Sequence, residues 1–179
     1  MTPIVWVFFA ALALLLQPKL ALFDCPFNLT LALVYAFGIK TASRQPAASS
    51  SDDVTREIRS TLFGAGMGLM EDAMIGSIIG PNLLSKGLAG FMSSIVYRDV
   101  FFQWESVVGG VVLAVLTLLD GIVVITARQL FSNTASGGPV VVELVIIQAI
   151  MNIPLGLILK PEQNIATSRF SWFHRKRYN

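Results

Sequence analysis

One cysteine and one histidine stand in the 179 residues of this chain, so soft metal ligands are almost missing. Cys25 has no second cysteine with which to close an internal disulfide. With His174 as its only soft companion it cannot build a zinc site either. It reads as a small filler at a helix start, the usual place of a free cysteine being inside. Charge is scarce as well: Asp, Glu, Lys and Arg make up 13% of the chain, against about 25% in an average soluble domain. Catalytic signatures are missing too, since no GxSxG, HExxH or phosphate-binding GxxxxGK[ST] occurs. The expectation is a protein with no enzymatic activity and no cofactor. The N-terminus lacks the marks of a secretory signal: no Lys or Arg precedes the apolar run Ile4 to Leu16, and no small-x-small cleavage site follows it. That run reads as a retained first helix.

What is abundant is apolar side chain, at 54% of residues. A soluble protein of this composition would have too little polar surface to cover itself, which points to lipid as the solvent for much of its exterior. Apolar runs long enough to span a bilayer, with some help from snorkelling flanks, are predicted over 3–22, 26–39, 54–71, 81–97, 106–127 and 139–159. Pro81 and Pro139 sit where a helix start tolerates proline, and Pro154 is placed to bend the last span. Between the second and third spans lies KTASRQPAASSSDD (Lys40 to Asp53), too polar to pack and read as a loop. Asp52 and Asp53 stand where the N-terminus of the next helix favours negative charge. The sequence therefore predicts an all-α membrane protein, a six-transmembrane-helix bundle forming a single domain over 1–179.

Net charge is only +2, so orientation rests on where the cations fall. With the N-terminus inside, the cytoplasmic segments carry Lys40, Arg44, Arg56, Arg59, Arg98, Lys160, Arg169, Arg175, Lys176 and Arg177, and the outer segments only Lys19 and Arg128. That asymmetry predicts both termini in the cytoplasm. The tail RFSWFHRKRYN mixes cations with aromatic rings. Next to a membrane, Arg175, Lys176 and Arg177 are candidates for contact with anionic lipid or cytoplasmic partners rather than with nucleic acid.

The most informative stretch runs from Gly64 to Phe91. Gly64, Gly68, Asp72, Gly76 and Gly80 recur every four residues, on one helix face, and Gly87 and Gly90 begin a second small-residue patch. In lipid such glycines admit another helix at close range. The occupant is either another helix of the same bundle or the helix of a partner, and spacing does not choose between them. Away from the basic flanks, five charged residues are read as lying within the membrane: Glu71, Asp72, Lys86, Asp120 and Glu143. Intramembrane charge is costly and calls for a partner. Lys86 is the cation among four acids, and an ion pair to Asp72 or Glu71 would offset the desolvation of both members.

The stretch GMGLMEDAMIGSIIGPNLLSKGLAGF resembles the central motif of the rod shape-determining MreD family: a glycine-rich helix, a GLxxD end, a short turn with glycine, and a helix ending in glycine. The matching positions are Gly68, Leu69, Asp72, Gly76, Gly80 and Gly90. Leu14 to Pro18 (LLLQP) and CPFNLTLALVYAFGIK also resemble the family's first two spans. The resemblance implies a non-enzymatic scaffold in the bacterial plasma membrane that organises the cell-elongation and peptidoglycan machinery. Its implied partners are the single-span MreC, the actin-like MreB, and RodA with its transpeptidase. In architecture the family resembles the six-helix substrate-binding subunits of energy-coupling-factor vitamin importers, which supply the alternative reading. Those subunits typically carry Ala-x-x-x-Ala in the first helix. Here Ala10, Ala11 and Ala13 include no pair four apart, which counts against importer coupling. Trp6, Trp104 and Trp172 fall near span ends, as interfacial anchors do.

Overall fold

The computed structural model describes residues 3–22, 27–43, 50–76, 79–97, 106–132 and 139–159. Among these residues there are six α-helices and no strand. They are α1 (Pro3–Leu22), α2 (Leu29–Ser43), α3 (Ser50–Ile75), α4 (Pro81–Ile95), α5 (Ser106–Ser132) and α6 (Pro139–Ile158). Each apolar run in the sequence corresponds to one helix, and the differences lie at the ends.

Helix α2 begins at Leu29 because Asn28 caps it: its Oδ1 accepts hydrogen bonds from Leu31 N at 3.0 Å and Thr30 Oγ1 at 2.9 Å. Helix α3 is longer than its apolar run. It starts within the Ser-Ser-Asp-Asp stretch, whose residue types suit a helix N-terminus. It continues past Glu71 and Asp72 because those carboxylates turn inward, and it ends where Gly76 adopts φ +67°. Gly80, at φ +137°, precedes Pro81 at the start of α4. Helix α5 runs five residues beyond its expected end, to Ser132, and α6 continues through Pro154 to Ile158.

Two antiparallel hairpins dominate the packing, α3 with α4 and α5 with α6. Helix α2 lies between them and touches all the others, whereas α1 rests only on α2 and α3. The main apolar core joins Leu31, Tyr35 and Ile39 of α2 to Ala89 of α4 and to Leu113 and Leu116 of α5. The Tyr35 hydroxyl, buried in this core, donates to Gly109 O at 3.0 Å and so ties α2 to α5. A second cluster joins Leu14, Val34 and Met67 across α1, α2 and α3. Helix α1 is also held by its Trp6 ring, which meets Phe37 edge-on at 5.0 Å and Phe63 at 6.0 Å, while Phe37 and Phe63 stack at 4.1 Å. Trp6 thus has a packing role beyond that of a span-end anchor. Trp104, Trp172 and Cys25 lie outside the described residues.

Two helical stretches, Val107–Phe131 and Val141–Ile158, are long and apolar enough to cross a membrane. Helix α5 presents Val107, Val111, Val115, Leu119 and Ile122 to its surroundings as one exposed stripe. Helix α6 presents Val142, Leu144, Ile146, Ile147 and Ile150.

Candidate functional site

The glycine ladder of α3 is filled from within the chain. A Cβ on Gly64 would fall on the carbonyl oxygen of Lys86, one on Gly68 on the carbonyl oxygen of Asn82, and one on Gly90 on that of Ser60. Each four-residue step along α3 is matched by a four-residue step back along α4, as an antiparallel backbone contact requires. Gly87 completes the seam, with Ala65 Cβ at 3.5 Å from where its own Cβ would stand. The face that spacing alone left open to a partner's helix is therefore occupied by α4. Gly76 and Gly80 do not belong to this seam. Nothing lies within 4 Å of a Cβ built on either, and their positive φ values assign them to the turn. An unpredicted seam of the same kind joins α5 to α6, where a Cβ on Gly156 would meet the Gly109 carbonyl and one on Gly121 the Val145 side chain.

Close approach of α3 and α4 brings the charged residues together. Lys86 is fully buried, and its Nζ lies 2.9 Å from Glu71 Oε2, 3.2 Å from Asn82 Oδ1 and 3.7 Å from Asp120 Oδ1. Glu71 and Asn82 lie in hydrogen-bond range of the ammonium, and Asp120 is a longer ionic neighbour. The ion pair between the hairpin helices is thus made by Glu71 rather than Asp72.

Asp72 does something else. Also fully buried, it accepts from Gly80 N at 2.9 Å, Asn82 N at 3.3 Å, Leu83 N at 3.2 Å and Asn82 Nδ2 at 2.7 Å. These backbone amides open α4, where no intrahelical acceptor exists. Gly80 has no side chain to cap them, so the carboxylate of the preceding helix does. Its negative charge also faces the positive end of the α4 dipole. Of the two partners the sequence offered Lys86, Glu71 is the one that meets it, because Asp72 lies one position further round α3, over the turn.

Asp120 extends the cluster into α5. It accepts from Asn28 Nδ2 at 2.9 Å and from the Ser85 hydroxyl. Asn28 N donates to Asn152 Oδ1 at 3.2 Å, and Asn152 Nδ2 donates to Thr117 Oγ1 at 2.9 Å, which brings in α6. Thr30 Oγ1 lies within hydrogen-bond distance of Glu71 Oε2, at 2.9 Å. From α1, Gln17 Nε2 donates to Phe27 O at 2.9 Å and its Oε1 accepts from Leu29 N at 2.8 Å, fastening the start of α2. Sequence reasoning did not select Asn28, Asn82, Ser85, Asn152 or Gln17. The available signal was an uncharged amide or hydroxyl inside or beside an apolar run. Glu143, the last of the five charges singled out in the sequence, is exposed and outside this network.

Above the cluster lies a cavity of about 240 Å³ at the end of the bundle where α1, α3 and α5 finish and α2, α4 and α6 begin. Gln17, Asn28, Glu71, Asn82, Lys86 and Asp120 form its polar floor. Gly121, Val124, Ile125, Val141 and Val145 form apolar wall, with Arg128 and Gln148 also lining it. Five helices contribute, and Asn28 adds the cap of α2. Among the described residues no cluster of three or more His, Cys, Asp or Glu is placed to hold a metal ion. The basic residues Arg175, Lys176 and Arg177 lie outside the described residues.

Compared with known protein families, curated proteins and solved structures, the chain matches none.

Proposed function

We propose that this chain is a six-span integral membrane protein that acts as a non-enzymatic scaffold of the bacterial cell-elongation machinery, the role implied by its resemblance to MreD. The observation that carries the reading is the employment of the motif residues. Gly68 and Gly90 make backbone contacts across the α3–α4 seam, Asp72 caps α4, and Gly76 and Gly80 form the turn. Each builds the hairpin, as a motif of architecture would, and none is left aimed at a reacting group.

The distribution of polarity supports the membrane part. Asp72, Lys86, Asp120, Asn28 and Asn152 are buried, whereas Ile4, Phe8, Leu15, Val107, Ile122, Leu130 and Ile150 are exposed. Water would favour the reverse. In lipid, ionisable groups face the bundle interior and pair with one another. With both termini cytoplasmic, the cavity opens at the outer face of the plasma membrane. The apolar rims of α1, α5 and α6 remain to meet the single-span partner MreC, with MreB and RodA and its transpeptidase reached through the assembled complex.

Depletion in the host bacterium tests this reading. Loss of rod shape, and co-purification of a single-span partner with the tagged chain, are the expected results. A vitamin requirement with normal shape would favour the importer subunit instead. The cavity, framed by five helices and the cap of α2, is the feature that favours this second reading.

A further inference from the structure

The cavity floor is unbalanced in charge. Lys86 stands between two carboxylates, Glu71 and Asp120, so this trio carries one net negative charge when ionised. Asp72 is matched separately by the amides at the start of α4. The Lys86 ammonium is fully buried, held by Glu71 and Asn82 with Asp120 at 3.7 Å. Glu71 differs: 16% of its side chain remains exposed against 1% for Lys86, and its contacts with Lys86 and Thr30 both involve Oε2. Its second oxygen has no hydrogen bond among the described residues, while the side chain lines the cavity. Arg128 also lines the cavity, eight residues along α5 from Asp120, about 12 Å by helical rise. Between them the wall is aliphatic.

We infer that this cavity is a binding site for a small organic monocation, a primary ammonium on a short aliphatic chain, with the ammonium donating to Glu71 on the floor and the chain lying against Val124, Ile125, Val141 and Val145. At the floor an anion would meet the unbalanced carboxylates, and a neutral alcohol would leave their charge uncompensated. The inference stands on the cavity alone and does not depend on the scaffold reading.

The test uses the full chain in phosphatidylcholine nanodiscs, with n-butylammonium, n-butyrate and 1-butanol as probes of equal chain length. Butylammonium is expected to raise the melting temperature saturably, by about 2–4 °C once it exceeds its Kd roughly fivefold. Butyrate and butanol should give no saturable shift. Glu71→Gln should abolish the butylammonium response, while Glu143→Gln, which changes an exposed carboxylate outside the cavity, should keep it. Val124→Phe fills the cavity from its wall and leaves the ionic floor intact. It should also abolish the response, and it decides the matter if Glu71→Gln does not fold. An equal response to butanol, a response to butyrate alone, no response to any probe, or a butylammonium shift that survives Val124→Phe would each overturn the assignment.

Discussion

Gly64 faces the carbonyl oxygen of Lys86, so the position that lets α3 and α4 touch lies against the residue that carries the buried charge. Seam and ion pair are consequently one construction. Any side chain at Gly64 would push α4 outward and lengthen the 2.9 Å contact between Lys86 and Glu71.

Glycine substitutions along α3 should therefore divide sharply. Gly64→Ala and Gly68→Ala each place a methyl on a backbone carbonyl that cannot rotate away, and each should cost at least the roughly 1–3 kcal/mol typical of overpacking. Gly66 is exposed with nothing within 4 Å of a built Cβ, so Gly66→Ala should be neutral or stabilising by up to about 1 kcal/mol. Melting curves of the three variants in one detergent check this; equal behaviour of all three would refute the seam.

Lys86→Met should lower folded yield strongly, because removing one member of a buried pair costs about 3–5 kcal/mol. The charge left behind is chiefly that of Glu71 and Asp120. Adding Glu71→Gln to Lys86→Met should recover part of the loss. A double variant no better than the single one would mean that the lost packing of the lysine stem, and not its charge, is responsible.

Asp72→Ala leaves the amides of Gly80, Asn82 and Leu83 without their acceptor. It should cost about 2 kcal/mol or more, the upper range for loss of a helix cap. Asp72→Asn keeps an acceptor and should cost less. Hydrogen exchange at the start of α4 is the direct readout: the alanine variant should lose protection there while α5 keeps it.

Orientation is checked by labelling intact cells with a membrane-impermeant thiol reagent in a Cys25→Ala background. Ala48→Cys and His174→Cys should both stay unlabelled if the polar loop and the C-terminal tail are cytoplasmic. Labelling of Ala48→Cys would reverse the proposed topology.

The helices were legible in the sequence because apolar runs, prolines and the polar segment 40–53 mark them locally. A break before Pro81 was legible too, but the four-residue spacing set Gly76 and Gly80 on the helix face, whereas they form the turn. Periodicity placed Gly64 and Gly68 on one face, but a face is a property of one helix and its occupant a property of two. Asp72 and Glu71 are adjacent in sequence and differ by about 100° of rotation around α3, which decides that one caps α4 and the other meets Lys86. Asp120 joins the cluster through Asn28, 92 positions away, and Asn152 reaches Asn28 across 124. Pairings so distant follow from how α2 seats between the two hairpins, and no local pattern encodes them.

The cap on α4 has a consequence for biosynthesis. The first amides of α4 are bare donors, and bare donors are what hydrocarbon tolerates least. Their acceptor, Asp72, precedes them in the chain and is already synthesised when they emerge. On the proposed six-span reading, the second half of the hairpin enters the bilayer with its leading edge already covered, and the order of residues along the chain becomes part of what makes insertion feasible.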